Sequence, residues 1–252
     1  MVILKSPSEI EKIRQSNVIV AEILEILRQK VAHGSDTHTL DRISEELALA
    51  RNAKPAFKGY RGYPYSLCTS VNQQVVHGFP SMSPLEEGDI LSMDFGILYN
   101  GYYGDAAITV PVGTVSNVAQ ELIETTQKAL FLGIEQAVPG KRLSDISHAI
   151  QSHVEAARYS VVRKFVGHGI GKSLHEDPQV PNYGKPGMGI RLKPGVVLAI
   201  EPMVNVGSYE VETLEDGWTT VTKDGSLSAH FEHSVAITED GPVVLSTTDG
   251  SA

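Results

Sequence analysis

The sequence predicts an α+β fold of two similar halves sharing one cleft, and three observations carry the prediction. Helix-period apolar stripes alternate with strand-period runs along the chain. Asn100-Gly101, a strong hairpin signal, separates two apolar runs. A pattern recurs: Leu85–Asp94 and Leu192–Glu201 both read Leu, two residues, Gly, one residue, two apolar, one small, one apolar, acid. Each copy follows a helix–Gly–helix pair and a His-Gly pair, His77-Gly78 in the first and His168-Gly169 in the second. A duplication of this kind places strand-end acids from both halves around a common cleft. The expected arrangement is a single domain over 1–252, with halves of about 1–112 and 113–252.

The elements follow in order. Ser6 caps a first helix, Pro7 suits its first position and Glu9 completes a capping box. Ile10, Ile13, Val18, Ile23, Leu24, Leu27 and Val31 form its stripe, and Gly34 is the expected stop. A second helix is expected over Thr39 to Arg51, and strands and loops over 57–80. Helices return at about 117–137 and 143–158, separated by a Gly stop in VPGK. Strands dominate from 190 onward. No low-complexity linker divides the chain.

The hairpin fixes a register. With Asn100-Gly101 as its loop, Tyr99 pairs with Tyr102, Asp94 faces Ala107 and Asp105 faces Gly96. Leu91, Met93, Phe95 and Ile97 then form the core face. Asp94 and Asp105 share the other face as diagonal cross-strand neighbours, roughly 5–8 Å apart. Two solvated acids beside a turn would be an ordinary outcome, so the remaining acids must decide.

Glu201 ends an apolar strand at Pro202, and Glu232 sits within the apolar run SAHFEHSVAI. An acid inside such a run is costly unless paired or metal-bound. No Lys or Arg alternates beside these four acids. Together with a histidine from FVGHGIGKSLHEDP, which carries His168 and His175, they suit two divalent ions such as Mn, Fe(II) or Co. Four carboxylates carry the charge that two such ions cancel. The chemistry such a pair supports is hydrolysis at a carbonyl.

Other classes are excluded. A net charge of −9 argues against a nucleic-acid partner. The single cysteine, Cys68, excludes an internal disulfide and points to a reducing compartment. The N-terminal residues contain too few apolar positions for a signal peptide, and no apolar run reaches membrane length. A cytoplasmic, soluble protein is expected. GHGIGKS lacks the Walker A spacing, and HEDPQ is not the HExxH of one-zinc proteases. His33, His38, His148 and His153 read as surface or helix residues.

The series Asp94, Asp105, His168, Glu201 and Glu232, with GHGIGKSLHEDPQVPNY, EPMVN and GYRGYPYSLCTSVNQQVVHGFP, resembles the methionine aminopeptidases of bacterial type I, over essentially the whole chain. The resemblance implies the pita-bread fold, a pseudo-twofold α+β domain with a curved antiparallel sheet flanked by helices. It implies a metalloaminopeptidase that removes initiator methionine from nascent proteins with a small second residue, by a dinuclear-metal-activated hydroxide. Asp94 would chelate one metal, Asp105 and Glu232 would bridge both, and His168 and Glu201 would complete the other. Glu201 would also accept a proton, and His77 and His175 would contact substrate and its tetrahedral intermediate. The methionine pocket would draw on Tyr60, Tyr63, Cys68 and Trp218. The cofactors implied are two divalent ions (Co, Mn, Fe or similar). The implied partners are nascent polypeptide N-termini, with the ribosome as a candidate place of encounter; DNA and membrane are not expected partners, and a monomer is expected.

The chain departs from the family pattern at four positions. Phe57 stands where a small Cys is expected, and Leu174 where Phe is expected before the histidine, so the two exchange bulk across the substrate pocket. Arg61 replaces a rim His, and His230 a Gln near the metals. Glu201 and Glu232 are too close in sequence for the type II insertion. A proline-specific peptidase of the same fold is the second enzyme reading, and a non-catalytic peptide-binding relative is the reading from another class. The first usually carries an N-terminal domain for which there is no room; the second would lack ligands that are all present.

Overall fold

Four helices pack on one face of a nine-stranded antiparallel sheet in the computed structural model, which describes residues 2–248. The first helix, α1 (Pro7–Arg28), opens with the expected capping box: the Glu9 N–H donates to Ser6 Oγ, and the Ser6 N–H donates to Glu9 Oε2. It ends before the expected Gly34 stop, because Ala32, His33 and Gly34 are exposed and offer nothing to bury. Gly34 (φ 84°) instead turns the following segment, and its N–H donates to the Leu85 carbonyl at 2.8 Å. Helix α2 (Thr37–Ala50) begins two residues earlier than expected, since Asp36 caps it through the Thr39 N–H at 2.7 Å. Helices α3 (Asn117–Ile134) and α4 (Leu143–Ala156) are joined through Gly140, at φ 90°.

The sheet strands are β1 (Lys54–Pro55), β2 (Leu67–Val71), β3 (Ile90–Tyr99), β4 (Tyr102–Pro111), β5 (Gly167–Gly169), β6 (Glu176–Val180), β7 (Val197–Ile200), β8 (Glu232–Thr238) and β9 (Gly241–Val244). Their order is β1-β3-β4-β8-β7-β5-β6, with β2 also on β3 and β9 also on β8. The repeated decapeptides end in β3 and just after β7. These strands hold equivalent places on either side of the central β4–β8 pair.

Each side has its own apolar core. Leu91, Met93, Phe95 and Ile97 of β3 are buried with Val20, Ile23 and Leu27 of α1 and Leu40 of α2. Leu198 and Ile200 of β7 and Val235 and Ile237 of β8 are buried with Leu122 and Leu130 of α3 and Ile146 and Ile150 of α4. All helices thus cover the apolar face and leave the opposite face for chemistry. Contact between α1 and β4 is backbone to backbone: a Cβ on Gly104 would stand 2.6 Å from the Ser16 carbonyl carbon. Among the described residues no helix is long and apolar enough to cross a membrane.

Candidate metal centre

The hairpin turn determines the first half of the centre. Asn100 (φ 49°) and Gly101 (φ 81°) adopt the left-handed conformation the turn requires, and β3 and β4 pair in the predicted register, Asp94 with Ala107 and Gly96 with Asp105. Strands β4 and β8 pair only through Ala107–Glu232 and Ala106–His233. The β7–β8 register, His233 with Ile200, carried one residue further sets Glu201 opposite Glu232. Asp94, Ala107, Glu232 and Glu201 therefore form one row across four strands. Asp105 lies diagonal to Asp94, and His168 pairs with Ala199, two residues before Glu201 on the same face.

The side chains converge. Ligand-type atoms of Asp105, His168 and Glu232 all lie within 4.8 Å of one another. His168 Nε2 is 3.5 Å from Glu201 Oε1 and 3.9 Å from Asp105 Oδ2. Asp94 lines the same cavity, and its charge is felt by Asp105, Glu201 and Glu232. Glu232 opens its strand rather than lying within it, since the ladder breaks at Phe231.

Burial pushes the Asp94 carboxyl up to about 7. Burial, and then the neighbouring carboxylates, push Asp105, Glu201 and Glu232 far above the usual range. No lysine or arginine of the described residues forms an ion pair with these four acids; His168 and His230 are their only ion-pair neighbours. Asp94 Oδ1, Asp105 Oδ1 and Glu232 Oε1 are buried without any hydrogen-bond partner. Oxygens left so are costly unless something positive binds them.

His168 is prepared for the same task. Its Nδ1–H donates to the Gly169 carbonyl at 2.9 Å, which leaves the Nε2 lone pair facing the acids. Burial holds its pKa down at about 4, so the ring is neutral. The donor set of four carboxylates and one neutral imidazole fits divalent ions of the Mn, Fe or Co type.

One cavity of about 140 Å³ is lined by every predicted site residue: Phe57, Tyr60, Tyr63, Cys68, His77, Leu174, His175 and Trp218 form its wall, and the five candidate ligands its floor. Arg61 stands at the rim. The wall is mostly apolar, with Phe57, Tyr63, Cys68 and Leu174 in one buried cluster. Its size is close to the roughly 150 Å³ of an apolar cavity that holds one benzene ring. His175 Nδ1 lies 3.0 Å from the Tyr60 hydroxyl, and the two rings stack at 5.3 Å. His77 takes φ 60° and meets Phe165 and Trp218 edge-on. Gly78 must follow it, because a Cβ there would stand 2.2 Å from the Thr69 carbonyl oxygen. Burial lowers His77 to about 4 and His175 to about 3, so both are neutral donors or acceptors.

Sequence reasoning missed the supports. Asn17 of α1 accepts the Asp105 N–H at 3.1 Å, and the Ser234 hydroxyl donates to the Asp105 carbonyl at 2.9 Å. These side chains serve Asp105 where the β4–β8 ladder is incomplete. Asn182 donates to the Glu201 carbonyl at 2.9 Å. Asp41 of α2 accepts from the Ser66 and Leu67 N–H groups and steadies the end of the loop that carries Tyr60 and Tyr63. Only the near-continuous apolar spacing around Asn17 hinted that a polar residue there is buried.

Residues 11–239 match the model of metallopeptidase family M24. A methionine aminopeptidase of Clostridium perfringens is 54% identical over 245 residues, covering 97% of this chain and 98% of that one. A crystal structure of the methionine aminopeptidase of Thermotoga maritima superposes with a TM-score of 0.96 at 47% identity, covering 98% of this chain and 100% of that one. The prolidase of Pyrococcus horikoshii shares the fold, with a TM-score of 0.80 at 24% identity, and covers 99% of this chain but only 65% of its own.

Proposed function

This chain belongs to metallopeptidase family M24, as a metallo-hydrolase of the methionine aminopeptidase type with the pita-bread fold, and from that premise we propose how its centre works. The substrate is the N-terminus of a nascent protein that begins with methionine followed by a small residue. Asp94, Asp105, His168, Glu201 and Glu232 would hold the pair of divalent ions. When bound, such ions supply Lewis acidity toward water and toward the scissile carbonyl. The observation that carries this reading is the set of buried carboxylate oxygens without partners in a cavity that also has an apolar wall.

The chain's own groups do the rest. Phe57, Tyr63, Cys68, Leu174 and Trp218 receive one unbranched apolar side chain, and the small cavity limits the cut to the terminal residue. The Tyr60 hydroxyl donates to His175 Nδ1, which keeps the proton of that neutral ring on Nε2. That N–H steadies the oxyanion as the carbonyl is attacked. His77, fixed by its backbone and by Phe165, contacts the substrate from the other side. Glu201 accepts the proton released by the attacking water. We read the chain as one catalytic domain of two halves, about 1–112 and 113–252, acting as a monomer in the cytoplasm.

The test is hydrolysis of a Met-Ala-Ser peptide by chelator-treated protein, before and after Mn²⁺ is restored. Cleavage after the methionine should require the ion and should vanish in Asp105→Ala and His168→Ala. Faster cleavage of an Ala-Pro dipeptide, or activity undiminished by the chelator, would refute the proposal.

A further inference from the structure

Glu201 is divided between two imidazoles. Its Oε1 lies 3.5 Å from His168 Nε2, and its Oε2 lies 3.7 Å from Nε2 of His230. His230 is only 2% exposed, and that Nε2 is a buried nitrogen with no hydrogen-bond partner. Leaving a buried polar group so costs about 1–3 kcal/mol unless it is answered.

The position of the ring is not accidental. Met203 pairs with His230, in the register that also sets Glu201 opposite Glu232. At period two, His230 shares the face of Glu232 and is the diagonal neighbour of Glu201. Its backbone is fastened to β4: the His230 N–H donates to Thr109 Oγ1 at 2.9 Å, and the Thr109 hydroxyl donates back to the His230 carbonyl at 2.8 Å. With that proton committed, the Ser92 hydroxyl at 2.8 Å donates to Thr109 and extends the lock to β3. The His230 backbone is therefore fixed, and burial surrounds its ring. A neutral imidazole facing a carboxylate in a dry site must present N–H there, since two lone pairs would otherwise oppose each other.

We infer that His230 is a positioning residue: it donates Nε2–H to Glu201 Oε2 and so leaves Oε1 as the oxygen offered to the ion shared with His168. This rests on the reading that the acids hold divalent ions. Closing 3.7 Å to a hydrogen bond needs a shift of well under an ångström. One carboxylate oxygen is then committed to the protein and the other to the metal. The Glu201 side chain arrives at the ion in a single orientation.

The experiment is calorimetric titration of the full metal-free chain with Mn²⁺, and the visible spectrum of the Co²⁺ form. His230→Leu should weaken Mn²⁺ binding about 10- to 100-fold, as loss of an outer partner of a ligand does. His230→Gln, which keeps an N–H at similar reach, should restore affinity to within a few-fold and match the wild-type Co²⁺ bands. Thermal melts check folding; should the Leu variant not fold, His230→Asn, whose amide falls short of Glu201, takes its place and should lose affinity in the same way. Wild-type affinity and spectrum in the Leu or Asn variant, or Gln binding as weakly as Leu, would overturn the assignment. A wild-type chain that bound no Mn²⁺ at all would overturn the metal reading beneath it, a result visible before any variant is made.

Discussion

Removing the ions should make the fold lose stability as pH rises from 6.5 to 8.5. In the metal-free fold, burial lets Asp94 ionise only near pH 7, and burial with the neighbouring carboxylates pushes Asp105, Glu201 and Glu232 well above their usual range. The unfolded chain has lost these protons well below that range. The folded state thus binds more protons, and stability falls with rising pH through the folded pKa values. Five histidines with lowered values act in the opposite sense, but lower down. His77, His168 and His233 titrate near 4 and His175 and His230 near 3, so they weaken the fold as pH falls through their unfolded value of 6.5. That opposing contribution fades within about one pH unit above 6.5, and the several retained carboxyl protons outweigh it. One retained proton across that window costs about 2.7 kcal/mol. For a chain of this size that is about 5–11 °C in Tm. The assay is thermal melting of chelator-treated protein at constant ionic strength, repeated with Mn²⁺. The metal-free Tm should fall, Asp94→Asn should flatten the fall, and Mn²⁺ should abolish it, since the ions compensate the charges. A metal-free Tm that is level or rises across the window would refute the account of the buried acids.

Three further outcomes follow from particular contacts. Gly104→Ala forces a methyl against the α1 backbone at Ser16 and Asn17, and should cost about 1–3 kcal/mol in urea unfolding; an unchanged midpoint would contradict the close packing of α1 on β4. Asp41→Ala strips the acceptor from the Ser66 and Leu67 N–H groups, and should raise KM for Met-Ala-Ser more than it lowers kcat, because the loop it steadies forms the substrate wall. Tyr60→Phe should lower kcat by on the order of tenfold, about 1.4 kcal/mol of transition-state stabilisation, with a smaller change in KM; an effect confined to KM would remove Tyr60 from the orientation of His175.

Much of this was legible in the sequence where local chemistry dictates geometry. Asn100-Gly101 permits one turn, and that turn fixes which residues of β3 face the core and which face the cavity. The Ser6–Glu9 box marks the start of α1 for the same reason. Helix ends were less legible. Gly34 looks like a stop, but the helix finishes at Arg28, where its buried stripe runs out, and Asp36 rather than a later residue starts α2. The acids of the cavity could be named because acids without basic partners on apolar strands are anomalous, whereas His77, His175 and the wall were named from the family resemblance. The residues that hold them could not. Asn17, Asn182 and Ser234 carry no such anomaly in sequence; Asn17 and Ser234 serve a gap in the central ladder, and Asn182 the end of β7, that only the assembled sheet reveals.

The central claim is that carboxylates from both sides of the sheet enclose a pair of divalent ions. Crystals of the Mn²⁺-loaded protein, measured at the manganese absorption edge, test it most directly. Two anomalous peaks should appear in the cavity, one contacted by Asp94, the other by His168 and Glu201, with Asp105 and Glu232 touching both. Peaks elsewhere on the molecule, or none among these five side chains, would contradict it.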